Sequence, residues 1–240
     1  MIIKGYRIPR VLLGTSPFIA AGQFGRRAFN YYVKFVNNPN AVRKVIEASI
    51  EVGVQGIQLL PYDWICKALK KILSDHEDIV IVGTLLPDEL ESSVKALSEL
   101  NATVSLVHGA ISDTRDLRVI EKHLNLCERI SPLIGLVVHE PLKTLSWLTR
   151  VNLKVDVIMA PINKMGYLLD GSLKEVIRVY EKLGVPIIGK KVLAAGRLKP
   201  KEALEFIKDI HIIKSVAIGV ASIEEAKETF KIAFEILGRD

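Results

Sequence analysis

The chain has 240 residues, of which 49% are hydrophobic and 25% are charged, and its formal net charge is +6. This apolar content excludes a disordered chain, and no apolar run reaches the roughly 18 residues of a membrane-spanning helix. The lysines are spread among glutamates in helical segments and do not form a dense basic run with aromatics. The charge therefore indicates a solvated surface and an anionic small-molecule substrate, with no nucleic acid or membrane as partner.

Two features of the chain favour a cytoplasmic location. Cys66 and Cys127 fall in helical patterns and lack the clustering of a metal site or a disulfide framework. Residues 1–14 lack the compact apolar core and the cleavage site of a signal peptide. We therefore expect a cytoplasmic protein with two reduced, buried thiols.

Short apolar runs alternate with amphipathic helical segments from one end of the chain to the other. Each run is rich in Val, Ile and Leu and ends in Gly, Pro, Ser or His, which is typical of buried parallel strands. In chain order the runs are RVLLGTSP, VQGIQLLP, DIVIVGTLLP, ATVSLVHGA, LIGLVVHEP, VDVIMAP, VPIIGKKVL and KSVAIGVAS. This repetition, with no linker inside it, predicts a single (β/α)₈ TIM barrel over residues 1–240. A doubly wound open sheet is the alternative, because counting strands does not establish closure.

One connection is much longer than the others. Residues 18–39, FIAAGQFGRRAFNYYVKFVNNP, separate the first predicted strand from its helix and carry aromatics and two glycines. Connections of this length are usually functional in compact domains. We interpret the segment as a lid over the barrel mouth, and the alternative is an extra short helix on the barrel's flank.

The carboxyl ends of the strands should hold the active site of such a barrel. His108 and His139 end the fourth and fifth predicted strands, and imidazole suits proton transfer near neutral pH. Glu140 follows His139, but neighbours along a strand point to opposite faces, so one ion would not be bound by both. The two histidines are therefore candidates for proton transfer, and a metal site is not favoured.

Paired lysines end the seventh predicted strand. Strand alternation lets only one of Lys190 and Lys191 face the barrel interior, and we favour Lys191 because it lies nearer the mouth. A lysine among apolar neighbours has a lowered pKa and becomes nucleophilic, as a Schiff-base former requires. The alternative is a charge-paired lysine that braces a loop.

The loops after the last two predicted strands are candidates for an anion site. Such loops often bind phosphate in barrels, through backbone N–H groups and a helix N-terminus. Gly196 and Gly219 would allow close backbone approach, Ser222 could cap a helix and donate, and Arg197 could pair with the anion. Short tight turns would require similar residues.

Several segments also resemble those of a known family, in the same order along most of the chain. They are VLLGTSPF, EVGVQGIQLLPYDW, TVSLVH, VDVIMAPINKMGYLL, VLAAGRL and AIGVASIEEAKETF. Together these segments resemble the aldo-keto reductases, which are barrel enzymes that reduce carbonyls with NADPH.

The resemblance implies a catalytic tetrad of Asp, Tyr, Lys and His, most of which this chain lacks. His108 falls at the position of the family's histidine, whereas Gln58 stands at the position of the aspartate and Thr84 at that of the lysine. Tyr62 lies one residue before the position of the tyrosine, and Asn163 matches a cofactor-side asparagine. Without the aspartate and the lysine, a tyrosine should titrate close to 10 and be a poor acid.

These observations lead to three hypotheses for function. The preferred one is an enzyme that acts on a small carbonyl or phosphorylated metabolite by lyase or isomerase chemistry, with Lys191 as amine and the two histidines as proton carriers. The second is an NADPH-dependent reductase of the aldo-keto type, with NADP as its cofactor. The third is a barrel that binds a ligand without catalysis.

Overall fold

The structure is a computed structural model that describes residues 1–239. Its strands are β1 (Ile2–Ile3), β2 (Tyr6–Arg7), β3 (Val11–Gly14), β4 (Gly56–Leu59), β5 (Val80–Thr84), β6 (Val104–Val107), β7 (Leu133–Val137), β8 (Val157–Pro161), β9 (Ile187–Lys190) and β10 (Ile213–Ile218). The strands β3 to β10 coincide with the eight predicted apolar runs.

These eight strands close into a parallel barrel. Each strand from β3 to β9 pairs with the next one along the chain, and β10 closes the ring by pairing with both β9 and β3. The closing pair has Val216 opposite Val11 and Ile218 opposite Leu13. The prediction of a (β/α)₈ barrel is therefore confirmed, and the open sheet is excluded.

A small hairpin that the sequence analysis did not predict precedes the barrel. β1 and β2 pair in antiparallel fashion, with Ile2 opposite Arg7. Ile8, which directly follows the hairpin, is fully buried and packs with the barrel interior, as do Met1 and Ile3. The hairpin thus supplies apolar side chains to the interior before the first barrel strand begins.

Helices follow the barrel strands and cover the outside of the barrel. They are α1 (Arg27–Phe35), α2 (Pro39–Val52), α3 (Asp63–Leu73), α4 (Leu90–Glu99), α5 (Gly109–Ser112), α6 (Leu117–Glu128), α7 (Pro141–Leu148), α8 (Leu173–Leu183), α9 (Pro200–Lys208) and α10 (Ile223–Leu237). No helix within residues 1–239 has both the length and the apolar character to cross a membrane.

The helix boundaries follow from local capping chemistry. The Asn38 side chain accepts from the backbone N–H of Ala41 at the start of α2, and Gly53 ends that helix with φ +114°. Ser172 and Glu175 form a reciprocal capping box at the start of α8.

Two apolar layers fill the molecule and fix the direction of each strand side chain. The interior of the barrel contains Leu12, Val82, Leu106, Met159 and Ile188, among others. The alternate strand residues, such as Leu13, Ile57 and Ile187, pack outward against the helices. Side chains alternate along a strand. The residue two positions after each of these interior residues therefore points into the barrel mouth.

The long connection after β3 is ordered and packs against the barrel. It contains short 3-10 turns at Ser16–Ile19 and Gly22–Phe24, followed by α1. Phe18 and Phe35 are both fully buried, with ring centroids 5.0 Å apart. The segment therefore contains the extra short helix of the alternative interpretation, while its action as a lid stays a prediction.

Both cysteines behave as expected from the helical pattern. Cys66 lies on α3 and Cys127 on α6, and both are buried free thiols. Burial raises the pKa of Cys66 to about 11 and that of Cys127 to about 12. Neither sulfur is therefore a ready nucleophile at neutral pH.

Candidate active site

A cavity of about 380 Å³ opens at the carboxyl ends of the strands, a volume typical of small-molecule sites. Its floor is formed by Gln58, His139, Lys190 and Ala217, and its walls come from the segment after β3 and from the loops after β9 and β10. The position agrees with the active sites of barrel enzymes. The cavity therefore defines the candidate active site.

Lys190 is the inward-facing member of the lysine pair. It ends β9 two residues after Ile188, which belongs to the barrel interior. Its Nζ lies 3.0 Å from Nδ1 of His139. Lys191 has already left the strand, with φ +59°, and lines the same cavity from the rim. The preference for Lys191 as the inward residue was wrong, because Ile188 faces the interior and strand alternation then turns Lys190, two positions later, inward.

The surroundings of Lys190 and His139 favour the uncharged form of each side chain. Burial is the main cause that holds the pKa of Lys190 well below its ordinary value, and the charge of Lys191 adds to it. Burial, followed by the charge of Lys190, lowers the pKa of His139 to about 3. His139 is therefore neutral at neutral pH.

His139 is held in place from several sides. Its backbone N–H donates to Oδ2 of Asp113 at 2.8 Å, and the hydroxyl of Thr144 donates to Oδ1 of the same carboxylate at 2.7 Å. A side chain at Gly109 would overlap the imidazole ring, so the small residue there leaves the space that the ring occupies. The imidazole thus has a defined position beside Lys190.

His108 lies next to His139 in the same mouth. The two ring centroids are 5.8 Å apart, and Nδ1 of His108 accepts from the backbone N–H of Ala110 at 3.1 Å. Burial, then the charge of Lys190, lowers the pKa of His108. The two predicted histidines are therefore brought together, although only His139 contacts the lysine and lines the cavity. Residues 1–239 contain no cluster of three His, Cys, Asp or Glu side chains that could hold a metal ion.

The reductase tetrad is not assembled in this mouth. Gln58 and Thr84 are buried and adjacent, with the Gln58 amide donating to the Thr84 hydroxyl at 3.4 Å. Tyr62 caps the start of α3 and stacks on Trp64 with ring centroids 5.0 Å apart, so it is not among the described residues that line the cavity. Burial raises the pKa of Tyr62 above 10, so this phenol is a poor acid at neutral pH.

Asn163 and Arg197, two of the predicted binding residues, stabilise loops. Asn163 is fully buried, and its side-chain amide bonds in both directions with the backbone of Tyr167, at 2.8 and 3.0 Å. The guanidinium of Arg197 lies 4.0 Å from the centroid of the Tyr167 ring and donates to the carbonyl of Ala194. Their predicted contacts with a cofactor or an anion stay predictions.

The predicted anion site is partly filled by the chain itself. Gly196 and Gly219 line the cavity as expected. The Ser222 hydroxyl, however, accepts from the backbone N–H of Glu225 at the start of α10. Oε2 of Glu225 accepts from the backbone N–H of Ala221 at 2.7 Å. The backbone N–H of Ala221 thus already donates to the Glu225 carboxylate, whereas a bound phosphate would need that N–H as a donor.

Several residues that line the cavity were not predicted from the sequence. Arg27 and Tyr31 come from α1, Lys199 precedes α9, and Glu228 lies one turn into α10. Arg27 also donates to the carbonyl of Ala195, which ties the segment after β3 to the loop after β9. Their spacing in the sequence carries no motif, since they meet only when the barrel closes.

Comparison with solved structures identifies the class of fold. A Pseudomonas aeruginosa protein described as an aldo-keto reductase matches with a TM-score of 0.70 and 18% identity, over 99% of this chain and 94% of that one. Aldose reductase from Schistosoma japonicum matches with a TM-score of 0.62 and 14% identity, over 100% of this chain and 94% of that one. A Bombyx mori aldo-keto reductase solved in complex with NADP matches with a TM-score of 0.63 and 13% identity, over 99% of this chain and 91% of that one.

The chain therefore has the barrel fold of the aldo-keto reductases, and the resemblance seen in the sequence is confirmed at the level of the fold. No family model matches the sequence. No curated protein matches it either.

Proposed function

We propose that the protein is a nicotinamide-dependent oxidoreductase that reduces a small carbonyl compound in the cytoplasm. The observation that supports this most directly is the position of the cavity, which runs from Lys190 and His139 out to the loops after β9 and β10. The similar solved structures are aldo-keto reductases, one of them bound to NADP. They favour reduction over the lyase or isomerase chemistry that the sequence analysis preferred.

The lining of the cavity fits the diphosphate of a nicotinamide dinucleotide. Arg27, Lys191 and Lys199 are cations on the walls of the cavity, and cations of this kind bind phosphate oxygens. Glu225 and Glu228 line the α10 side, where a further phosphate would meet negative charge. A bound nicotinamide would supply the two electrons of the reduction.

The Lys190–His139 pair takes the place of the tyrosine acid in this proposal. Lys190 in its ammonium form donates a proton to the carbonyl oxygen as that oxygen gains charge. An acid works best when its pKa lies near the working pH, and the lowered pKa of Lys190 moves it in that direction. His139 accepts a hydrogen bond from Lys190 at Nδ1 and so orients the ammonium group.

Cofactor binding and turnover test the proposal separately. We expect NADH or NADPH to bind, measured by fluorescence titration, and to be oxidised when a panel of small aldehydes and ketones is added. Lys190→Met should lower kcat by about 100-fold or more, in the range of general acid catalysis, with little change in cofactor Kd. Lys214→Met, which removes an exposed lysine of β10, is the matched control.

Three results would contradict this assignment. If neither NADH nor NADPH binds, nicotinamide-dependent reduction is excluded. If Lys190→Met retains kcat, the assigned proton donor is wrong. Tight binding of a carbonyl compound with no turnover would favour the barrel that binds a ligand without catalysis.

A further inference from the structure

We propose that Lys190 also forms a covalent imine with aldehydes or ketones, an activity that needs no nicotinamide and extends beyond reduction. The lysine is fixed at the end of a barrel strand, and its side chain lines the cavity. This places the amine where a small carbonyl compound would bind. The nucleophilic lysine expected from the sequence thus becomes Lys190.

The contact made by Lys190 distinguishes it from a lysine that braces a loop. Elsewhere in the chain, lysines near the barrel mouth pair with carboxylates, as Lys164 does with Glu202 at 2.8 Å and Lys143 with Glu140 at 3.1 Å. The hydrogen-bond partner of Lys190 is the imidazole of His139 at 3.0 Å. A carboxylate would stabilise the ammonium form, whereas a neutral imidazole does so much less.

The same contact gives the reaction a route for protons. Nδ1 of His139 lies 3.0 Å from the attacking nitrogen and can relay a proton from it, and because the pKa of His139 is about 3 the imidazole holds that proton only in passing. Burial and the charge of Lys191 lower the pKa of Lys190 and favour its free amine, and the more weakly acting charge of Asp113 opposes them. The nucleophile and its base are therefore within hydrogen-bond distance, as nucleophilic catalysis requires.

The chemical step is balanced without a further reactant. The nitrogen lone pair of Lys190 attacks the carbonyl carbon, and the carbonyl π electrons move to oxygen. A proton leaves the nitrogen for Nδ1 of His139 and returns to the oxygen, which gives a carbinolamine. The remaining proton on the nitrogen then moves to the hydroxyl oxygen, again through Nδ1 of His139, and the nitrogen lone pair forms the carbon–nitrogen double bond as that oxygen leaves as water. The products are an imine and one water molecule, and nothing is oxidised or reduced.

The charges of the cavity indicate the class of carbonyl compound. Arg27, Lys191 and Lys199 line the cavity, and the carboxylates of Glu225 and Glu228 lie on its α10 side. A substrate with a carboxylate or phosphate would be attracted by these cations, whereas a neutral aldehyde would not. We therefore expect small anionic carbonyl compounds to react faster than neutral ones of the same size.

Reductive trapping tests this proposal on the full-length chain. The protein is incubated with pyruvate or with neutral acetone, each with sodium cyanoborohydride, and examined by intact mass and peptide mapping. We expect one adduct per chain with pyruvate, located on Lys190, formed at least tenfold faster than with acetone. Lys190→Met should lose the adduct, and His139→Asn should slow it by tenfold or more. Lys214→Met should leave it unchanged.

The outcomes separate this proposal from the reductase function. An adduct on Lys191, adducts spread over surface lysines, or no adduct at all would overturn the imine. Because peptide mapping locates the adduct in the wild-type protein, this result does not depend on the folding of a variant. An adduct on Lys190 in a protein that binds neither NADH nor NADPH would support the imine and contradict the reductase. Turnover of a carbonyl compound with NADH or NADPH, without an adduct, would support the reductase and contradict the imine.

Discussion

Replacing Lys190 with Met should stabilise the fold, and the gain should shrink as the pH rises. The buried cavity floor disfavours the ammonium form, so the pKa of Lys190 is lower in the folded chain than in the unfolded one. Between these two pKa values the unfolded chain binds one more proton than the folded chain. The free energy of unfolding of the wild-type protein therefore rises with pH over this range.

The slope gives the magnitude of this effect. One extra proton bound by the unfolded state changes the free energy of unfolding by at most about 1.4 kcal/mol per pH unit, up to the unfolded lysine pKa of about 10.4. Methionine does not titrate, so the gain of Lys190→Met should fall with pH at up to this rate. Lys190 keeps part of its surface exposed, so screening by solvent makes the slope an upper limit.

Urea denaturation at several pH values measures this slope. The series should stay above about pH 7.5, about one unit above the ordinary histidine pKa of about 6.5. The exposed Lys214→Met is the control for the loss of a lysine side chain. A stability difference between Lys190→Met and wild type that is constant with pH would contradict this expectation, because it would mean that Lys190 titrates alike in both states.

Three glycines give further predictions. Gly135→Ala should destabilise the barrel by about 2 to 3 kcal/mol in thermal or urea unfolding, because a Cβ there would overlap a backbone carbonyl of β8. Gly22→Ala, where a Cβ meets nothing within 4 Å, should change stability by less than about 0.5 kcal/mol, and equal effects of the two would contradict the packing argument. Gly109→Ala should displace the imidazole of His139 and raise its pKa from about 3 toward 6.5, measured by NMR titration. An unchanged pKa would show that the ring does not depend on this glycine.

The barrel mouth holds the Lys190–His139 pair and does not assemble the tetrad that the resemblance implies. Gln58 and Thr84 stand where the resemblance places charged residues, and they bond to each other. Their uncharged side chains leave Lys190 and His139 as the titratable groups on the floor of the cavity. A shared barrel fold does not by itself fix the reaction, because the reaction depends on which side chains stand in the mouth.

The elements of the barrel were predictable from the amino-acid sequence alone. The eight barrel strands are buried on both faces, so their apolar runs stand out against the 3.6-residue period of the helices. The helical pattern also predicted the burial of Cys66 and Cys127. The hairpin of β1 and β2 was not predicted, because strands of two residues are too short to show an alternation of apolar and polar residues.

The composition of the site, in contrast, depends on how the folded chain is assembled. The choice between Lys190 and Lys191 depends on which of the buried residues Ile187 and Ile188 faces the barrel interior, and the apolar sequence of β9 does not distinguish them. The partner of Lys190 lies 51 residues away at His139, and Arg27 reaches the loop after β9 from α1. Such contacts form only when the barrel closes and brings distant strand ends together. Local patterns in the sequence therefore do not predict them.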